Sequence, residues 1–341
     1  MSSERTHYQV PVAQVISETD QACSIVLDVP PGLADSFGYR PGQFITIRVP
    51  AGGGSVARCY SLSSSPHAGD LPTITVKRMP AGHASNWIAD HVAAGTVLDL
   101  LPPAGTFTPR SLDADFLLFA GGSGITPVMS ILKSALIAGH GKIVLIYANA
   151  DERSVIFASQ LRALQSQAPD RLLLLHWLDV LQGPPDQIAL RELARPYAGF
   201  DAYICGPDPY MAVARDALRD LGVPAQRVHV ERFLSLAENP FEASAQPADG
   251  VAAVLEVDLD DKVHTLEWPG GQRMLDVMID AGLDAPYSCR EGVCGACACR
   301  LVTGTVEMAH NEVLEEQDLA EGYVLACQSV AKSAEVSVSY S

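Results

Sequence analysis

YSCREGVCGACACR, residues Tyr287–Arg300, sets Cys289, Cys294 and Cys297 at the spacing C-x4-C-x2-C. Cys327, in VLACQS, follows with 29 residues between it and Cys297. This is the plant-type spacing of a [2Fe–2S] cluster held by four thiolates. Gly292, Gly295 and Ala296 keep the loop small, so the sulfurs can converge and backbone N–H groups can turn toward the cluster's negative charge. A structural zinc site asks for two C-x2-C knuckles, and this loop has one. Cys299 lies outside the pattern and reads as a packing residue, while Cys23, Cys59 and Cys205 are scattered.

Upstream of the loop, AVLEVDLD and KVHTLEWP read as a hairpin and RMLDVMIDAG as a helix. The segment SLAENPFEASAQPADG, Ser235–Gly250, is rich in Ala, Pro, Ser and acid without apolar periodicity, and reads as a tether. The last 91 residues hold 16 carboxylates against five Lys or Arg, so most of the chain's net charge of −17 sits beyond the tether. Such a balance argues against nucleic acid and against an anionic membrane surface as partners.

Before the tether the rhythm changes twice. Up to about residue 112, YQVPVAQV, CSIVLDV, QFITIRV and TITVKRM are β-branched runs broken by Pro, Gly and Ser, the pattern of an antiparallel barrel. One helix, through SNWIADHV with Ser85 as its cap, interrupts them. From Asp115 onward the short apolar strands DFLLFA, KIVLIYA, RLLLLHW and DAYICG alternate with helical stretches, and VHVERF ends the unit. That alternation predicts a parallel sheet with helices on both faces. The expected organisation is a barrel over 1–112, an α/β nucleotide domain over 113–234, a linker over 235–250 and an α+β cluster domain of β-grasp type over 251–341.

The length of 341 residues and 48% hydrophobic composition suit several folded cores and exclude wholesale disorder. No apolar run reaches the 18 or more residues of a membrane span, and MSSERTHYQV has no apolar signal region, so the cytoplasm is the expected compartment.

Two further segments carry chemistry. In RCYSLSSSP, Arg58 can pair with a phosphate, Tyr60 can stack on a planar ring and Ser61 can donate to a ring nitrogen. Gly82, Ala84 and Ser85 then open the helix, where free N–H groups favour a phosphate. An aromatic platform beside a phosphate hole fits a flavin nucleotide. FAGGSGITP places Gly121, Gly122 and Gly124 between an apolar strand and a helix, the context of a phosphate loop, although it is not G-x-G-x-x-G. ICGPDPYM repeats the strand-to-helix junction. Asp151 and Glu152 after the second strand favour NADH over NADPH, an inference that Arg153 weakens.

Together these segments resemble the ferredoxin–NADP reductase superfamily in its version with a C-terminal plant-type ferredoxin. Oxygenase reductases have this layout, among them those of phenylacetyl-CoA epoxidase and of Rieske hydroxylases. The resemblance implies FAD, a [2Fe–2S] cluster and NADH as cofactors, a terminal oxygenase as partner, and electron transfer without a catalytic acid, base or nucleophile. It implies that Arg58, Tyr60, Ser61, Val76, Lys77, Gly82, Ala84, Ser85 and Phe233 hold FAD. Gly122, Ser123, Gly124, Cys205, Gly206 and Pro207 are implied for the nicotinamide nucleotide, with Thr126 assigned to either nucleotide. Ser61, Cys205 and Glu231 would form the hydride-transfer pocket, and Cys289, Cys294, Cys297 and Cys327 would hold the cluster. A stand-alone flavin reductase and a non-enzymatic redox or metal-binding protein are the other function classes.

Overall fold

A computed structural model describes residues 7–233, 235–236, 239–242, 249–259, 262–314 and 316–340. The β-branched runs of the first part form six antiparallel strands: β1 (Tyr8–Thr19), β2 (Ala22–Leu27), β3 (Phe44–Ala51), β4 (Gly54–Ser61), β5 (Thr73–Lys77) and β6 (Val97–Ala104). Their order is β4-β3-β6-β1-β2-β5, and a bridge between Leu62 and Ile74 draws the two edges together into a barrel-like sheet. Ile45, Ile47 and Val49 on β3 point with Val10, Ile25, Ile74 and Leu100 into its core. The interrupting helix runs from His83 to His91 with Gly82 as its cap residue. Ser85 stands inside the first turn rather than at the cap, and its hydroxyl accepts from the Met79 N–H.

The apolar strands that follow are parallel: β7 (Phe116–Gly121), β8 (Ile143–Asn149), β9 (Leu172–Leu178), β10 (Asp201–Cys205) and β11 (Val228–Glu231), in the order β11-β10-β7-β8-β9. Every residue of β7 and β8 is buried, which is why these strands read as unbroken apolar runs. Leu118, Ala120 and Leu145 pack under the helix Ile125–Ala138. Leu117, Phe119 and Ile146 face the helices Gln187–Ala194 and Asp208–Asp220 on the other side.

Beyond these, β12 (Ala253–Leu259) and β13 (Lys262–Trp268) form the hairpin. They join β14 (Ala298–Thr303), β16 (Tyr323–Leu325) and β18 (Glu335–Ser339) in the order β13-β12-β18-β14-β16, while β15 (Val306–Met308) pairs with β17 (Ser329–Ala331). The helix Met274–Asp280 packs on this sheet through Met274, Leu275 and Met278. Of the expected linker, residues 237–238 and 243–248 lie outside the described residues. Its described part is packed: Leu236 and Phe241 are buried, and Asn239 donates to the Ser55 carbonyl at 3.1 Å. No helix among the described residues is long and apolar enough to cross a membrane.

Candidate functional site

The cysteine loop joins the helix Met274–Asp280 to β14, and its backbone is shaped by its neighbours. Gly292 (φ +79°) and Gly295 (φ +70°) occupy the left-handed region. A Cβ on Gly292 would lie 2.6 Å from the His310 carbonyl oxygen, and one on Gly295 would lie 2.9 Å from Thr106 Cγ2 of the barrel. Arg290 also has positive φ, and its buried guanidinium is paired with Asp276 beneath the loop. The Arg290 carbonyl accepts from Gln328 Nε2 at 2.6 Å, tying the loop to the residue after Cys327.

Cys289, Cys294, Cys297 and Cys327 are all buried and all free thiols. N–H donors point at three of the sulfurs: Glu291 to Cys289 at 3.4 Å, Ala296 to Cys294 at 3.5 Å and Cys327 to Cys297 at 3.4 Å. Gln328 Nε2 lies 3.7 Å from the Cys327 sulfur. Four buried thiols, three of them taking a backbone N–H, suit an anionic iron–sulfur centre. These residues fit the group that the spacing implies. Arg290, Asp276 and Gln328 were not singled out from the sequence; the position of Arg290 between two cysteine ligands was the available signal.

On β4, Arg58 and Tyr60 share one face and Cys59 and Ser61 the other, as strand alternation requires. Ser61 opens into a cavity lined also by Phe44, Cys59, Glu231, Phe233, Cys289 and Cys294. Thus Ser61 and Glu231, two of the three residues implied for the hydride pocket, share one space with two cluster cysteines, whereas Cys205 is not among its lining and is buried in the core of the nucleotide domain. The first turn of the helix His83–His91 brings the N–H groups of Ala84 and Ser85 to the end of β5, where Val76 is buried in the barrel core. Lys77, implied for the flavin arm, also approaches the glycine-rich loop: its Nζ would lie 3.4 Å from a Cβ on Gly122.

That loop and the β10 junction meet because β7 and β10 are neighbours, with Ala120 opposite Cys205. The chain reverses its direction of sheet growth between them, the switch point where parallel sheets bind nucleotides. A Cβ on Gly121 would lie 2.9 Å from Pro207 Cδ, and the Gly206 position abuts the Gly121 backbone. Thr126 Oγ1 donates to the Ser123 carbonyl at 3.1 Å. Gly122, Ser123, Gly124, Thr126, Cys205, Gly206 and Pro207 therefore lie along one edge. The serines after Ser61 do other work. Ser130 Oγ donates to the Ser64 carbonyl at 2.6 Å, Ser65 and Ser134 hydroxyls lie 2.8 Å apart, and Lys133 Nζ donates to the Ser63 carbonyl at 3.3 Å. They clasp the nucleotide domain's first helix to the barrel.

The chain matches the family models for an oxidoreductase FAD-binding domain over residues 9–108, an oxidoreductase NAD-binding domain over 118–216 and a 2Fe-2S iron-sulfur cluster binding domain over 257–332. It is 52% identical to the 3-ketosteroid-9-alpha-monooxygenase ferredoxin reductase component of Rhodococcus rhodochrous, over 93% of this chain and 92% of that protein. This chain belongs to the oxygenase ferredoxin-reductase family. The Mycobacterium tuberculosis (strain CDC 1551 / Oshkosh) member of that name is 53% identical over 97% and 95% of the two chains. A component of the 1,2-phenylacetyl-CoA epoxidase of Escherichia coli (strain K12) is 33% identical over 98% of both chains. A phthalate dioxygenase reductase structure shares the fold over 98% of each chain, with a TM-score of 0.59 at 24% identity. As a member of this family the chain is an oxidoreductase that uses FAD, a nicotinamide nucleotide and a [2Fe–2S] cluster.

Glu231, paired in register with Cys205 across β10 and β11, has its carboxyl pushed up to about 8 by burial. The folded chain therefore prefers the neutral acid, whereas the unfolded chain releases the proton near 4.5. The stability this group contributes is complete below the unfolded value and is lost as pH rises through about 8. The melting temperature of the wild type relative to Glu231→Gln should fall between about pH 5 and 9. A difference that stays flat with pH would put the carboxyl in water.

Proposed function

We propose that this reductase draws on NADH and delivers electrons to a Rieske-type hydroxylase that acts on a 3-ketosteroid. Bound FAD would supply a two-electron acceptor for the hydride of NADH, and a bound cluster would supply one-electron transfer onward. Arg58, Tyr60 and the first turn of the helix His83–His91, with Gly82, Ala84 and Ser85, hold the FAD phosphates and ring; Val76 and Phe233 flank it. Ser61, Cys205 and Glu231 orient the reacting rings and exclude water. Gly122, Ser123, Gly124, Thr126, Gly206 and Pro207 cradle the nicotinamide nucleotide, and Lys77 lies along the flavin's phosphate arm. The division at 1–112, 113–234, 235–250 and 251–341 describes these working units. Eight unbonded cysteines accord with the reducing cytoplasm.

The observation that carries the electron-transfer reading is the single cavity shared by Ser61, Glu231, Cys289 and Cys294. The steroid assignment is supported by the ketosteroid relatives, whose likeness covers nearly the full chain. The test is reconstitution with NADH, a 3-ketosteroid and its oxygenase component, scored as hydroxylated product, against an epoxidase arm with phenylacetyl-CoA. Product in the epoxidase arm alone would overturn the steroid assignment. NADPH should support turnover poorly.

The acidic last quarter fits a basic patch on the acceptor. Reduction of a protein acceptor should slow several-fold as salt rises from low values to about 0.5 M, where the Debye length shrinks to a few ångströms. A flat salt profile would remove charge from the docking.

A further inference from the structure

The first half of β3, residues 44–47, is buried on both faces. Ile45 and Ile47 point into the barrel, whereas Phe44 and Thr46 point out of it and are covered by the cluster domain. Cys59 lies opposite Thr46 in the β3–β4 register and shares that outer face with Ala57. Most of the contact is apolar: Phe44, Ala57, Leu101 and Ala104 belong to the same packed cluster as the cysteine loop. At its centre, however, stand three polar groups. Thr46 Oγ1 lies 2.7 Å from Ser288 Oγ and 3.4 Å from Cys59 Sγ, with Thr46 and Ser288 at 0% and 1% exposure.

We propose that the Cys59–Thr46–Ser288 triad is a positioning element that sets the cluster loop in electron-transfer register with the flavin site. The inference rests on the flavin and cluster reading given above. Apolar contact tolerates small slides, but a buried hydroxyl left without its partner carries an uncompensated desolvation penalty, so one register is selected. Its placement couples both sites through the backbone. Ser288 immediately precedes the cluster ligand Cys289, and Cys59 stands between Arg58 and Tyr60 of the flavin segment.

The test uses the full holoprotein with Thr46→Val, Ser288→Ala and the conservative Thr46→Ser. Stopped-flow absorbance follows flavin reduction by NADH, and freeze-quench paramagnetic resonance follows cluster reduction. In Thr46→Val and Ser288→Ala, flavin reduction should match wild type while cluster reduction slows by about tenfold or more, the scale of a small misplacement in a geometry-limited step. Thr46→Ser should restore the rate. Hydrogen exchange of the backbone over residues 284–296 should quicken in the two slow variants and not in the rescue. Unchanged cluster reduction in Thr46→Val and Ser288→Ala overturns the proposal. So does equal slowing of both steps with a lowered melting temperature, because that is the signature of a merely structural contact. A wild type whose cluster NADH fails to reduce overturns the functional reading itself, and the triad's role with it.

Discussion

Cys294→Ala should abolish NADH-driven reduction of any protein acceptor while leaving NADH-driven reduction of ferricyanide near the wild-type rate. Cys294 is 4% exposed, takes an N–H from Ala296, and borders the cavity that also holds Ser61 and Glu231. Removing its sulfur takes one of four thiolates from the iron–sulfur centre, and three cannot complete the plant-type set. The flavin segment is built on the barrel from Arg58, Tyr60 and Ser61, so the small acceptor still finds a reduced flavin. The visible and paramagnetic signatures of the cluster should vanish with the activity. Cys59→Ala is the matched control: its sulfur lies against Thr46 and outside the cysteine quartet, so the cluster signals should survive. Retention of a normal cluster in Cys294→Ala, or its loss in Cys59→Ala, would reassign the ligands.

How far the sequence discloses this arrangement depends on whether a signal is local. Cysteine spacing is local, so the four cysteines are found in the one loop and its partner strand end, as the pattern implies. The unbroken apolar runs of β7 and β8 are local too, because helices cover both faces of a central parallel strand. FITIRV in β3 misleads by the same logic. Its outer face looks like an ordinary solvent face with a threonine, yet Thr46 is wholly buried because a domain more than 200 residues away in sequence packs on it. Cys59 reads as scattered for that reason. Ser63, Ser64 and Ser65 follow the flavin residues so closely that only tertiary contacts show them clasping the helix Ile125–Ala138. Lys77 reaches the glycine-rich loop because two domains meet there, which no single-strand pattern encodes. The tether reading fails to anticipate Asn239 and Phe241, whose composition is loop-like but whose side chains dock on the barrel.

Gly124→Ala should destroy nicotinamide-driven activity and lower the stability of the nucleotide domain, although its backbone (φ −61°) suits any residue. The obstacle is distance. A Cβ there would lie 2.1 Å from the Cys205 carbonyl oxygen and 2.6 Å from the Gly206 nitrogen, both backbone atoms that cannot rotate aside. Relief would require β10 to part from β7, breaking the ladder that runs from Asp201–Phe116 to Cys205–Ala120. The cost should therefore reach or exceed the upper end, about 3 kcal/mol, of ordinary overpacking. Gly122→Ala gives the contrast. Gly122 has φ +52°, and its Cβ would meet only the mobile end of Lys77 at 3.4 Å, so the cost is the left-handed strain of about 1–2 kcal/mol. Ferricyanide reduction by NADH should be lost in Gly124→Ala and reduced but present in Gly122→Ala. Dithionite should still reduce the cluster in both, because the core around the cysteine loop contains no residue of the nucleotide domain. If Gly124→Ala kept wild-type turnover and melting temperature, the close approach of the loop to β10 would be wrong, and with it the placement of the nicotinamide nucleotide at that edge.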